Sequence, residues 1–145
     1  MRVHRTPPKV VVPCDRCGRP HERWKRTRLP VQPLWCSDEC RFWSFVAVAG
    51  ASECWPWTGS LRDKGYGQVA WGGRPTKAHR VAFLLGYGRW PDPNALHRCD
   101  NPGCCNPAHL FEGTTEDNNR DMWNKGRHWL QQPGARQRLW ERRRG

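Results

Sequence analysis

The segment from His97 to Asn118 holds residues whose types and spacing suit two kinds of chemistry. Cys99, Cys104 and His109 follow one another with four residues in each gap. Thiolate and imidazole donors at such short spacing are typical of a zinc site. His97 lies two residues before Cys99, so an extended strand would put both side chains on one face. As a zinc ligand, His97 would have to bind the ion from the same face of the same short strand as Cys99. We therefore interpret His97 as a free imidazole, partly neutral at neutral pH as a general base must be.

This zinc site needs a fourth ligand for tetrahedral closure, and two cysteines compete for the position. Cys54, in the sequence E-C-W-P-W, has no other partner and would arrive from a distant strand. Cys105 is adjacent to Cys104, so both thiolates cannot easily point at one ion. We expect Cys54 to be the fourth ligand, and Cys105 remains the alternative.

A second metal site is predicted nearer the N-terminus. Cys14 and Cys17 form a C-x2-C pair, and after eighteen residues Cys36 and Cys40 form a C-x3-C pair. This spacing is typical of four-cysteine zinc ribbons and treble-clef fingers. Ser37 can cap a helix that carries Cys40. The sequence therefore predicts two structural zinc ions.

The elements next to these residues would position them. Residues 109–111 are a short apolar run, and Thr114 or Thr115 can cap a helix with acidic residues in its first turn. That helix would end near residues 125–126, with Asn118 in its first turns facing the preceding strands. Upstream, residues 65–73 predict a hairpin strand and residues 77–85 a helix with Arg80 near its start, beside His79.

These residues together resemble a known motif. The pattern H-x-C-x4-C-x4-H, with an asparagine nine residues after the last histidine, resembles the ββα-metal (HNH) endonuclease motif. It is most similar to that of the His-Cys box homing endonucleases. Residues 54–127 also resemble small phage HNH proteins, through the A-H-R helix and the C-D-N-P-x-C-x-N-P-x-H-L block.

The resemblance implies that His97 activates a water and that Asn118 holds one catalytic Mg²⁺ together with phosphate oxygens of DNA. It further implies that Arg80 stabilises the scissile phosphate, that an upstream cysteine joins the zinc site, and that the products carry 5′ phosphate and 3′ hydroxyl. Many HNH enzymes have an aspartate or asparagine directly before the first histidine. Leu96 stands there in this chain, which departs from that pattern and fits the His-Cys box type.

The composition favours a nucleic-acid partner. The chain has 145 residues and a net charge of +12, with 20 arginines against 5 lysines. Arginine matches phosphate geometry, and a small basic domain rich in aromatic residues is typical of nucleic-acid binders. We expect double-stranded DNA, contacted by arginines at both ends of the chain: Arg16, Arg19, Arg23, Arg26, Arg28, Arg136, Arg138, Arg142 and Arg143.

The predicted fold is small α+β and zinc-stabilised, with four parts. These are a flexible basic arm (1–12), a four-cysteine finger (13–48), an HNH nuclease domain (53–127) and a basic tail (128–145). No signal peptide or apolar run of membrane length occurs. We therefore expect reduced cysteines, no membrane partner and a cytoplasmic location in a bacterium or in the host cell of a phage. The oligomeric state stays open between monomer and homodimer.

The resulting hypothesis is a metal-dependent DNA endonuclease. The alternative is a non-catalytic, zinc-dependent DNA-binding protein. Only His97 and Asn118 discriminate, because a binding protein needs neither an imidazole outside the zinc shell nor an asparagine at that spacing.

Overall fold

The computed structural model describes residues 8–24 and 33–144. These ranges contain three two-stranded antiparallel sheets and four α-helices, which confirms the predicted small α+β class. The elements in chain order are β1 (Lys9–Pro13), β2 (Pro20–Trp24), α1 (Asp38–Ser44), β3 (Gln68–Trp71), β4 (Arg74–Lys77), α2 (Ala78–Tyr87), β5 (Asn94–His97), β6 (Leu110–Gly113), α3 (Thr115–Asn124) and α4 (Ala135–Arg144).

The N-terminal hairpin begins earlier than the sequence predicts. Residues 9–12 were expected in a flexible arm, but they form most of β1, which pairs with β2 in the register Val11↔Glu22. Val10 and Val12 are half-buried on one face of this strand while their neighbours are exposed, as strand alternation requires. The strand that leads to Cys14 therefore begins within the predicted arm, and residues 1–7 of the arm lie outside the described residues.

Helix α1 joins the finger to the rest of the molecule. Ser37 caps it by accepting a hydrogen bond from the backbone N–H of Cys40 at 3.1 Å. Phe42 on this helix is fully buried, and its ring centroid lies 5.4 Å from that of Trp57. The backbone N–H of Thr58 also donates to the carbonyl of Phe45 at 2.7 Å. The finger helix thus contributes to the same hydrophobic core as Trp57 and helix α2.

Helix α2 lies at the centre of that core. Its residues Val81, Ala82 and Phe83 are buried, and the helix ends at Gly88, whose positive φ of 72° suits glycine. A Cβ atom added at Gly86 would lie 2.5 Å from the Cβ of Pro107. Glycine at this position therefore allows α2 to pack against the 3-10 turn Pro107–His109.

The unit formed by β5, β6 and α3 agrees with the predicted strand, ligand loop, strand and helix. β5 pairs with β6 in the register His97↔Leu110. Thr114 caps α3, and a reciprocal pair of hydrogen bonds with Asp117 completes the capping box. Helix α4 lies within the predicted basic tail (128–145). Within the ranges described here, none of the helices has the length and apolar character needed to cross a membrane.

Candidate functional site

Four side chains converge beneath the β5–β6 hairpin. The thiols of Cys54, Cys99 and Cys104 and an imidazole nitrogen of His109 all lie within 4.8 Å of one another. The Sγ atoms of Cys54 and Cys104 are 3.7 and 3.6 Å from His109 Nδ1. A tetrahedral zinc with Zn–S of about 2.3 Å and Zn–N of about 2.0 Å would separate S and N ligands by about 3.5 Å. The donor set and its spacing therefore fit zinc.

Backbone pairing holds Cys54 against this loop. The N–H of Trp57 donates to the carbonyl of Gly103 at 2.9 Å, and the N–H of Cys105 donates to the carbonyl of Trp55 at 2.8 Å. The amide of Asn106, which is 1 % exposed, donates to the carbonyls of Ala51 and Glu53 at 2.9 and 2.7 Å. The sequence analysis missed Asn106 as a residue that positions a ligand, although it lies in the C-D-N-P-x-C-x-N-P block.

Cys105 does not join the ligand cluster. It is 1 % exposed and packs into the hydrophobic core. Burial raises the pKa of its thiol to about 12, so it stays protonated at neutral pH. The structure therefore brings Cys54, and not Cys105, to the metal cluster.

The finger holds a second cluster of thiols. Cys14, Cys17, Cys36 and Cys40 have sulfur atoms within 4.8 Å of one another. The Sγ of Cys36 is 3.5 Å from the Sγ atoms of both Cys17 and Cys40. These separations exceed a disulfide bond of about 2.05 Å and approach the roughly 3.8 Å edge of a tetrahedral zinc–thiolate shell. All eight cysteines are free thiols, and this set also fits zinc.

His97 stands at the end of β5 outside the cluster. Its Nε2 atom is 3.0 Å from the backbone carbonyl oxygen of Cys104. A carbonyl oxygen only accepts hydrogen bonds, so Nε2 must carry the hydrogen and Nδ1 of the neutral ring keeps its lone pair. Burial lowers the pKa of His97, while the Cys104 carbonyl and the charge of Asp100 act against it. The side chain is thus a partly buried, oriented imidazole with one basic nitrogen.

The cavity in front of His97 is basic. It has a volume of about 380 Å³ and is lined by both His97 and Asn118. Asn118 lies in the first turn of α3 and is half-buried. The charged residues of the lining are four cations and one anion: Lys64, Lys77, Arg80, Arg127 and Asp100. This balance suits a phosphate group, and the amide oxygen of Asn118 is a hard donor suited to a cation such as Mg²⁺.

The loop before β5 holds Arg80 at the rim of this cavity. Its guanidinium donates hydrogen bonds to the carbonyls of Pro93 at 3.1 Å and Pro91 at 3.5 Å. These neutral partners leave the positive charge of Arg80 uncompensated. The side chain is therefore available to an anion in the cavity.

His97 packs against a group of rings that the sequence analysis did not predict. His79 is 4 % exposed, and its ring centroid lies 4.8 Å from that of His97 and 5.4 Å from that of Tyr66. Burial is the main cause that lowers the pKa of His79 to about 3, and electrostatic interactions with His97, Lys77 and Arg80 add to it. His79 is therefore a neutral packing surface for His97. The A-H-R pattern identified the position of His79, but it did not predict the contact between His79 and His97.

Ion pairs among four charged side chains connect α3 to the loop after β5. Asp100, which has a positive φ of 61°, binds Lys125 at 3.0 Å and Arg127 at 2.6 Å. Asp121 binds the same two cations at 2.9 Å each. These ion pairs help to fix the helix that carries Asn118 relative to the strand that carries His97. The sequence analysis missed Asp100 in this role.

Of the predicted DNA-binding arginines, the five whose side chains the structure describes do not line the cavity. Arg16 and Arg19 are exposed in the finger, where Arg16 donates to the carbonyl of Trp43 at 3.3 Å, and Arg23 is half-buried on β2. Arg138 and Arg142 are exposed on α4. Arg26 and Arg28 lie outside the described residues, as do the side chains of Arg136 and Arg143.

Comparison with known proteins shows similarity to an HNH endonuclease family and to two phage proteins. Residues 76–120 match the family described as HNH endonuclease. The chain is also similar to two proteins of Escherichia phage T7. It is 48 % identical to Protein 2.8 over 80 residues, or 53 % of this chain and 54 % of the relative. It is 42 % identical to Protein 7.7 over 78 residues, or 52 % of this chain and 58 % of the relative. The search of solved structures gives no match.

These similarities confirm the resemblance to HNH endonucleases and small phage proteins. The family match includes β5, β6, the first half of α3 and the residues Arg80, His97 and Asn118. It stops short of Cys54 and the four-cysteine finger. The chain spans about half the length of the phage relatives that it matches.

Proposed function

We propose that this chain is a metal-dependent endonuclease that hydrolyses phosphodiester bonds in double-stranded DNA. The observation that carries the proposal is the orientation of His97. Its Nε2–H is committed to the carbonyl of Cys104, and its ring lines a basic cavity together with Asn118. A protein that only binds DNA has no need of a buried, oriented base beside a hard oxygen donor.

In this proposal Nδ1 of His97 takes a proton from a water molecule as the water oxygen bonds to the scissile phosphorus. The bond between phosphorus and the 3′ oxygen then breaks. The strand ends become a 5′ phosphate and, after protonation, a 3′ hydroxyl. The Cys104 carbonyl holds the ring in place and stabilises the imidazolium that forms. Burial keeps His97 neutral beforehand, since it lowers the pKa of the ring.

Asn118 would hold the catalytic cation through its amide oxygen, with phosphate oxygens and water as the other ligands. Mg²⁺ suits such a site because it is a hard ion that keeps several waters. When bound, it supplies charge stabilisation for the phosphate and the leaving 3′ oxygen. Arg80, which lines the same cavity, would bind the same phosphate. Its carbonyl partners leave its charge uncompensated for that purpose.

The two Cys and His clusters are structural in this proposal. Each has four soft donors and so leaves no open position for a substrate. The finger (13–48) and the basic tail (128–145) would bind DNA backbone on either side of the nuclease domain (53–127). Because the relatives are phage proteins, we place the activity inside the host cell.

Supercoiled plasmid incubated with the purified protein and Mg²⁺ tests the proposal. We expect conversion to nicked or linear DNA, and we expect the reaction to stop when Mg²⁺ is replaced by Ca²⁺, which leaves the zinc sites intact. A protein that retards plasmid on a gel but never cuts it would instead be the DNA-binding protein of the alternative hypothesis.

A further inference from the structure

Three aromatic rings lie close together at the C-terminal end of α3 and in the turn that follows it. We call Trp123, His128 and Trp129 the aromatic patch. Trp123 and Trp129 are 50 % and 52 % exposed. The ring centroid of His128 lies 5.3 Å from that of Trp123 and 6.0 Å from that of Trp129. Exposed tryptophans usually occur singly, so a run of three neighbouring rings indicates a binding surface.

The aromatic patch is fixed in place by the backbone. The N–H groups of Arg127 and His128 both donate to the carbonyl of Met122, at 2.8 and 3.1 Å. The N–H of Leu130 donates to Nδ1 of His128 at 3.3 Å. The turn after α3 therefore folds back on the helix and presents the rings in one arrangement.

The aromatic patch also borders the candidate active site. Met122 and Arg127 line the cavity in front of His97, and each is followed in the chain by a residue of the patch. Consecutive Cα atoms are about 3.8 Å apart, so the backbone of the patch lies next to the backbone of the cavity lining. The surrounding charge favours a DNA strand. Residues 115–144 contain eight arginines and lysines against four acidic residues.

We propose that the aromatic patch binds unpaired bases of a DNA strand next to the scissile phosphate. Rings of tryptophan and histidine stack on nucleobases without sequence preference. A base inside a duplex is already stacked on both sides and offers no free face. The partner is therefore DNA that is locally unpaired, such as a bubble, flap or distorted site. This inference rests on the proposed nuclease function for the position of the scissile phosphate.

Binding of fluorescent duplexes, with and without a central run of unpaired nucleotides, tests the proposal. The His97→Ala protein is used so that the probes stay intact, which a gel verifies. We expect the protein to prefer the bubble probe. Trp123→Leu and Trp129→Leu should each weaken binding to that probe at least about fivefold, near the lower end of a lost base–aromatic stack. Their affinity for the paired duplex should stay within about twofold.

Two controls sharpen this test. Trp123→Phe keeps a ring and should retain most of the preference for the bubble. Trp90→Leu removes a tryptophan that is 43 % exposed outside the aromatic patch and should leave the preference unchanged. Equal losses on both probes, or no loss on either, would overturn the inference. So would a change in molecular mass by light scattering without a change in preference, since the patch would then join two copies of the chain.

The outcome is separable from that of the proposed function. A wild-type protein that never cuts DNA but shows the ring-dependent preference would retain the aromatic patch as a site for unpaired bases. A protein that cuts, with no ring-dependent preference, would retain the nuclease and reject the patch.

Discussion

The imidazole of His97 and the backbone carbonyl of Cys104 are 3.0 Å apart, and this contact joins two sites that the sequence presents as separate. Cys104 turns its thiol towards the metal cluster and its carbonyl towards the candidate base. The metal cluster therefore orients the base. If the cluster loosens, the carbonyl can move, and the tautomer that leaves Nδ1 basic is no longer favoured.

The first prediction concerns metal content. Purified protein should contain about two zinc ions per chain, since two four-ligand clusters are present. Cys54→Ser should lose one zinc and most DNA cutting, because the Cys104 loop is no longer held. Cys105→Ala is the matched control. It removes a buried thiol outside both clusters and should retain both ions. Elemental analysis measures the zinc content of each variant. If Cys105→Ala loses a zinc and Cys54→Ser does not, Cys105 and not Cys54 is the fourth ligand.

Asn118 should be needed for cutting but not for folding. We expect Asn118→Ala to cut DNA at least about 100-fold more slowly, because charge stabilisation by a bound cation is worth several kcal/mol. Excess Mg²⁺ should restore part of the rate by mass action. Asn119→Ala, which changes the exposed neighbour on α3, should cut normally. Equal rates for the two variants, measured with saturating DNA, would remove Asn118 from the site.

His79 should make stability depend on pH. Its folded-state pKa of about 3 lies below the ordinary value of 6.5, so the unfolded chain binds the additional proton. The resulting stability is complete above pH 6.5 and is lost as pH falls towards 3. Between pH 7 and 5.5 the wild type should lose about 1 kcal/mol more than His79→Phe. Denaturant unfolding at constant zinc measures the difference. Parallel pH profiles would mean that folding does not lower the pKa of His79.

The basic tail should contribute affinity and not chemistry. Deleting residues 137–145 removes the exposed Arg138 and Arg142 but retains Ala135, which is 1 % exposed. Each lost phosphate contact should lower the slope of log affinity against log salt by about 0.9. Binding titrations between about 50 and 200 mM salt measure this slope. An unchanged slope would show that α4 does not touch DNA.

Much of the candidate site is readable from the sequence because it is local. The C-x4-C-x4-H spacing, the asparagine that follows, the capped helix α3 and the helix around Arg80 all depend on residues close together in the chain. The structure brings Cys99, Cys104 and His109 together as that pattern predicts, and Cys54 joins them from a distant part of the chain.

The contacts that the sequence does not reveal connect distant parts of the chain. Phe42 of the finger packs on Trp57, and His79 packs on His97 across α2 and β5. The sequence shows which side chains are apolar or titratable, but it does not show which of them are in contact. The ten tryptophans alone allow many alternative contacts. The start of β1 was missed for a similar reason, because its valines gain burial only through the pairing with β2.

The rate of plasmid cutting by His97→Ala, measured beside its zinc content and DNA affinity, tests the central claim most directly. The variant should keep two zinc ions and near wild-type affinity, since His97 belongs to neither cluster. Its Mg²⁺-dependent cutting should fall at least about 100-fold, the usual effect of losing a general base. If His97→Ala instead cuts at the wild-type rate, or loses a zinc and unfolds, His97 is not the base.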